Sequence, residues 1–340
     1  MTIRILSIIA CIVLINACNT KREENVVNVY SHRHYDIDKK IFKQFTESTG
    51  IEVNVVSADA DELIKKLELE GDRSPADIII TVDAGRLQKA KELNLLQTIA
   101  SDSLVKNIPS YFRDSENQWF ALTYRARIIA YAKDRVDPSD ITTYGDLVKP
   151  EWQGKVLVRS SSNIYNQSML ASRIVHDGEE AAKEWASGVV ANFAREPKGN
   201  DRDQVKTVAA GVGDLAILNT YYLGLLAESD SEEERKVYES VGIIFPDQDG
   251  HGTHINISGI GVTAHAPHRE NAIRFIEFMI SKDVQKQFAG INHEYPVIED
   301  VEWSDIVKSW GTFKADTLQL ELLGKHNREA VRIFDQVGWK

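Results

Sequence analysis

Cysteine is almost missing from this chain of 340 residues: the only two, Cys11 and Cys18, lie within its first eighteen positions. The rest of the chain has no thiol, which excludes a disulfide framework, a thiolate metal site and a cysteine nucleophile from the body of the protein. Positive charge is also short. Lys and Arg total 40 against 51 Asp and Glu, for a net charge of −11, and the densest charged run, Glu228 to Glu234, is acidic. Nucleic-acid binding rests on clustered cations against phosphate, so no nucleic-acid partner is expected. Catalytic signatures are missing too. There is no GxSxG elbow, no P-loop, no HExxH and no dinucleotide-type glycine fingerprint, so no motif announces an enzyme.

Long apolar runs are confined to the first residues. MTIRILSIIACIVLINACN has a basic start at Arg4, an apolar stretch from Ile5 to Ile15 and a small residue, Ala17, before Cys18. That stretch is too short for a spanning helix and has the form of a signal peptide over residues 1–17. Cys18 stands where a lipoprotein signal places the cysteine acylated after cleavage, with 18–26 as a linker from lipid to body. Asn16 is unusual in such a box, so cleavage without lipidation stays open as the alternative. The expected place is the periplasm, anchored through lipid on Cys18.

The body has a normal apolar share of 43% and length enough for two domains. From residue 26 it alternates short apolar runs with amphipathic stretches: VVNVYS, IEVNVVSA and ADIIITVD read as strands, DIDKKIFKQFTESTG and DADELIKKLELEG as helices. This order predicts an α/β fold with mixed, mainly parallel sheets. Two long extended runs, at 118–134 and 257–266, flank a second α/β series. A chain that enters a second unit through one extended segment and leaves through another builds two lobes on two hinge strands, with a cleft between them. The expected division is 27–122 plus 262–313 for the N-terminal lobe, 123–261 for the C-terminal lobe, and 314–340 as C-terminal helices.

Tyrosine gathers at the ends of strands. YSHRHYD places His34 and Tyr35 at the carboxyl end of the first strand, where open α/β sheets bind ligands. RSSSNIYNQS puts Tyr165 in the first turn of a helix, and ILNTYYLG puts Tyr221 and Tyr222 at another strand-to-helix junction, with Thr220 as a candidate N-cap. Each tyrosine alone reads equally as a ring packed with its hydroxyl in water. Adjacent tyrosines in a regular helix splay by roughly 100°, so Tyr221 and Tyr222 meet at one point only if the first turn adjusts. Together, three strand ends aim phenols and an imidazole at one cleft. Phenolate is a hard, strongly basic oxygen donor suited to a hard trivalent cation. Four phenolates around a ferric ion sum to −1, which a nearby arginine would offset, and Arg127 in TYRARI is the candidate. In DGHGTH, His251 and His254 read as turn residues rather than a metal pair.

At these residues the chain resembles the periplasmic ferric-iron-binding proteins, in particular the subgroup with one His and four Tyr ligands. The matching pieces are YSHRHYD, ADIIITVDAGRL, WFALTYRARIIAYAKDRV, VRSSSNIYNQS, NTYYLG, EYPV and NREAVRIFDQVGWK, in order from about residue 27 to the end. The resemblance implies a type II periplasmic-binding-protein clamshell that closes on Fe3+ and hands it to an inner-membrane ABC permease with its ATPase, acting as a monomer. It carries the imidazole ligand to His34 and the phenolates to Tyr35, Tyr165, Tyr221 and Tyr222. Other subgroups hold a synergistic anion on an arginine, for which Arg127 is the match; with five protein donors, water or an open position is expected as the sixth. His32 departs from the family pattern and is read as a solvated loop residue.

Two alternatives stand beside this reading. The same clamshell serves phosphonates, polyamines and thiamine, usually through Trp or Asp boxes or helix N-termini, which SSSN could provide but which leave the tyrosines unexplained. A secreted metal-dependent enzyme needs an open metal position and a general base, and no carboxylate pairs with the set.

Overall fold

A computed structural model describes residues 25–33 and 35–340 of the chain. The expected signal peptide, Cys18 and its linker up to residue 24, and His34 lie outside the described residues.

The strands are β1 (Val26–Ser31), β2 (Glu52–Ser57), β3 (Ile78–Val82), β4 (Trp119–Ala132), β5 (Val156–Leu157), β6 (Leu215–Asn219), β7 (Val241–Ile244), β8 (Ile255–Val262) and β9 (Tyr295–Pro296). The helices in the first part are α1 (Asp36–Thr49), α2 (Ala60–Glu70), α3 (Ala84–Glu92) and α4 (Asp102–Asn107). The middle series holds α5 (Ile164–Asp177), α6 (Glu179–Ala191), α7 (Asp201–Ala209), α8 (Thr220–Ala227) and α9 (Glu232–Ser240). After β8 come α10 (Arg269–Met279), α11 (Lys282–Ile291), α12 (Asp305–Ser309), α13 (Glu321–Lys325) and α14 (Asn327–Val337).

Local chemistry sets the boundaries. In α1 the apolar residues Ile37, Ile41, Phe42 and Phe45 fall on one buried face, and the helix stops at Gly50, whose φ of +71° is the left-handed geometry glycine adopts without penalty. In α2 the Asp59 carboxylate caps the first turn through the Asp61 amide, while Leu63, Ile64 and Leu67 turn inward and Leu69 stays in solvent.

Strand order is β2-β1-β3-β8-β4-β6-β5, with β7 and β9 also pairing β4. The parallel pairings, β1 with β2, β1 with β3, and β5 with β6, lie toward the two ends of this order. Among the described residues, every antiparallel pairing between named strands involves β4 or β8. The sheet is therefore more mixed than the expected mainly parallel one, because the two long strands run against their neighbours as they cross between lobes. β4 does both jobs by itself: residues 119–126 pair with β8 and residues 127–132 with β6 and β7. The architecture is a two-lobed α/β fold on a shared mixed sheet.

Where the crossing strands meet, Asp83 ties the parts together. Its Oδ1 accepts from the Gly85 amide at 2.9 Å and from Ser168 Oγ of α5 at 2.7 Å, and its Oδ2 accepts from Asn256 Nδ2 of β8 at 2.8 Å. The residue is fully buried, and its φ of +84° is a strained value for a side chain with a Cβ, so these bonds must hold it there.

Candidate metal centre

A cavity of about 200 Å³ opens at the carboxyl ends of β1, β3 and β6, lined by Tyr35, Tyr165, Tyr221 and Tyr222 with His32, Arg33, Val82, Arg202 and Leu225. Each phenol arrives by a different local device. Tyr35 occupies the extended position just ahead of α1. Tyr165 is the second residue of α5, where Asn163 Oδ1 accepts from its amide at 3.1 Å and fixes the first turn. Tyr221 and Tyr222 are the second and third residues of α8, and their rings stand 4.2 Å apart with 31° between planes, so the helix start does draw them to one side. The cap of α8 is Asn219 rather than Thr220, whose hydroxyl instead accepts from the Ala126 amide of β4 at 3.3 Å.

The hydroxyls of Tyr35, Tyr221 and Tyr222 are pushed above the ordinary phenol range. Burial pushes the Tyr221 hydroxyl well above its usual range, and the charges of Tyr165, Tyr35 and Tyr222 push it further. Tyr35 is raised first by burial, then by Glu294, with Tyr165 adding to it; Tyr222 is raised by burial, then by Tyr165 and Asp201. An oxygen set of this kind resists deprotonation until a strong cation enters, and then turns into a cluster of hard anionic donors.

Arginines surround Tyr165. The guanidinium carbons of Arg125, Arg159 and Arg127 lie 5.2, 5.6 and 5.8 Å from its ring centroid. Arg127 is already engaged: it donates to Asp201 at 3.0 Å, to Asn219 Oδ1 at 3.2 Å and to Asn166 Oδ1 at 2.7 Å. Arg33 likewise spends its donors on Asp38, Glu294 and Thr123. Arg125 is different. It is 1% exposed, and none of its three guanidinium nitrogens has a hydrogen-bond partner. Burial would lower its pKa, but Tyr165, Tyr221, Asp83 and Glu294 outweigh that and keep the cation charged. A buried guanidinium without a hydrogen bond is costly, which makes Arg125 a candidate counter-charge for an anionic cluster in the cavity. Two residues before Arg127, the expected offsetting cation, Arg125 thus presents a second guanidinium to Tyr165 from the same face of β4. Reading TYRARI with a period of two puts both arginines on that face, which is the signal that sequence reasoning passed over.

The imidazoles divide. His34 is outside the described residues. His32, expected in a solvated loop, lines the cavity, with Nδ1 3.4 Å from the Ala58 carbonyl oxygen. His251 and His254 lie on a separate cavity with His176 and Asp316, where the His176 and His251 rings stack at 3.9 Å. Among the described residues, no three His, Cys, Asp or Glu side chains are arranged to hold a metal.

Residues 40–315 match the profile of the bacterial extracellular solute-binding protein family. Iron uptake protein A1 of Synechocystis sp. is 46% identical over 322 residues, 95% of this chain and 89% of that protein. A solved Trichodesmium protein (IdiA, FutA) in complex with iron and citrate superposes with a TM-score of 0.90 at 47% identity, covering 93% of this chain and 100% of that one. The ferric binding protein from Campylobacter jejuni gives a TM-score of 0.88 at 48% identity, covering 92% and 100%.

Proposed function

Because this chain belongs to the bacterial extracellular solute-binding protein family, we propose that its tyrosine-lined cavity captures ferric iron in the periplasm and presents it to the permease of an ABC importer. The observation that carries this reading is the convergence of Tyr35, Tyr165, Tyr221 and Tyr222 on one cavity of about 200 Å³ beside the unpartnered guanidinium of Arg125. The ligands are these four phenolates and the imidazole of His34. Water, or an anion drawn by the neighbouring arginines, completes the coordination. One relative is an iron uptake protein and another was solved with iron and citrate, and a transport role rather than an enzymatic one is assigned here.

Electrostatics gives the selectivity. Four phenolates and a ferric ion sum to −1, and Arg125 brings the buried cluster to neutrality, whereas a ferrous ion would leave −1 uncompensated. A divalent ion also gains less Coulomb energy against the cost of displacing phenol protons, so reduction favours release. Iron meets Tyr165, Tyr221 and Tyr222 first, and closure then adds Tyr35 and His34. In this mechanism β4 and β8 serve as hinges, with residues 27–122 and 262–313 as one lobe, 123–261 as the other, and 314–340 as C-terminal helices. A ligand that binds the closed form more tightly shifts the population toward it, and the closed shape is what a permease would read. Cys18 carries the lipid that keeps the protein at the membrane.

The test is optical. Ferric citrate added to iron-free protein should produce a visible phenolate-to-iron charge-transfer band, which Tyr165→Phe, Tyr221→Phe and Tyr222→Phe each weaken or shift. A colourless wild-type solution would overturn the assignment.

A further inference from the structure

The run NREAVRIFDQVGWK carries, as its last residue but one, a tryptophan that the binding reading leaves without a role. Trp339 follows α14 across Gly338, whose φ of +76° turns the chain back, and its own amide donates to the Phe334 carbonyl at 3.0 Å. The ring is 2% exposed, set among Phe334, Phe193 and Trp185 at centroid distances of 4.8, 5.1 and 6.2 Å. A tryptophan buried this way normally finds a partner for its indole N–H. Here the partner is the Arg159 carbonyl, at 3.0 Å. The next residue repeats the contact, since the Lys340 carbonyl accepts from the Ser161 amide at 3.2 Å.

Arg159 and Ser161 belong to the loop that delivers Tyr165. That loop has little regular structure of its own, because β5 ends at Leu157 and α5 begins at Ile164. Its shape is held by side chains: Asn166 Nδ2 donates to the carbonyls of Arg159 at 2.9 Å and Ser160 at 3.2 Å, and Gln167 Nε2 to that of Ser161 at 3.0 Å. The Arg159 guanidinium, which leaves from the same backbone point that Trp339 grips, lies 5.6 Å from the Tyr165 ring. We propose that Trp339 is a positioning residue for Tyr165: it and Lys340 clamp the Arg159–Ser161 backbone, and through it the first turn of α5 that aims this phenol into the metal cavity. This rests on the ferric reading of that cavity.

Trp339→Phe keeps an aromatic ring in the seat and removes the N–H. Ferric affinity, measured by citrate competition on the charge-transfer band, should fall about fivefold, which is what one neutral hydrogen bond is worth, and the band should shift. In a Tyr165→Phe background the same substitution should cost nothing further, because the residue it positions is gone. A chain ending at Gly338 loses both ties and should fall further; if it does not fold, Trp339→Phe still decides. Arg332→Ala breaks a different tie of α14, to Glu179 at 2.6 Å, and should leave the band and affinity at wild type. The proposal is overturned if Trp339→Phe matches wild type, or if it costs the same with and without the Tyr165 hydroxyl. A wild-type protein that shows no band at all would sink the ferric reading instead, a distinguishable result.

Discussion

Replacing Arg125 by methionine separates an electrostatic role in iron binding from a role in folding. The guanidinium carbon stands 5.2 Å from the Tyr165 ring and makes no hydrogen bond. Before iron enters, the cation is balanced only by the electron-rich phenol oxygens of Tyr165 and Tyr221 and by the carboxyl groups of Asp83 and Glu294. After iron enters, the cluster carries −1. At an effective dielectric constant of about 20, two unit charges about 5 Å apart interact by about 3 kcal/mol, roughly two decades in affinity. Arg125→Met should therefore weaken ferric binding about a hundredfold. Arg127→Met makes the contrast. It removes the 3.0 Å ion pair of the buried Asp201 carboxylate and leaves it the 3.4 Å pair with Arg159, which should cost about 2 kcal/mol of folding stability while moving iron affinity much less. Both variants are assayed by citrate competition on the charge-transfer band and by urea denaturation of the iron-free protein. Equal iron affinity in wild type and Arg125→Met, or a larger affinity loss in Arg127→Met, would refute the assignment of the counter-charge to Arg125.

Three further outcomes follow from the same structure. Because a free phenol titrates at about 10 and burial holds Tyr35, Tyr221 and Tyr222 higher still, ferric capture by four phenols at neutral pH should release on the order of four protons per iron, measured by pH-stat after correcting for the chelator; release of fewer than two would contradict tetraphenolate binding. Burial lowers His254 from its ordinary 6.5 to about 3, so the unfolded chain takes up this proton first and stability should drain away as pH falls through that interval. His254→Asn should show a shallower fall in urea midpoint between pH 6.5 and 4, and an unchanged slope would argue against a neutral buried imidazole. Gly224→Ala on α8 would bring a methyl within 2.5 Å of the His293 ring, so we expect a loss of about 1–3 kcal/mol in the same denaturation assay, with no loss if that ring can move aside.

Much of this molecule is written locally. The stop of α1 at Gly50, the cap of α2 at Asp59 and the long extended run that becomes β4 follow from backbone preferences and apolar periodicity, which neighbouring residues decide among themselves. The placement of Tyr35, Tyr165, Tyr221 and Tyr222 at strand ends was legible for the same reason. The approach to Tyr165 was less so: only Val156 and Leu157 pair as β5, and the residues from there to α5 form the loop that presents this phenol. Sheet direction was also beyond local reading. Which partner a strand finds depends on where the chain returns, and the two crossing strands impose antiparallel pairing on a sheet whose units look parallel one by one.

The sequence by itself therefore determined the elements and the donor types: phenols on strand ends, no thiols, an acidic surface without a basic stripe. Only the tertiary structure decided that the phenols share one cavity, that Arg125 rather than Arg127 lacks a partner there, and that Trp339 reaches back to the loop before Tyr165. Propensity acts within a few residues, whereas convergence and hydrogen-bond satisfaction depend on packing among segments far apart in the chain, and no local pattern records which buried donor is left without an acceptor.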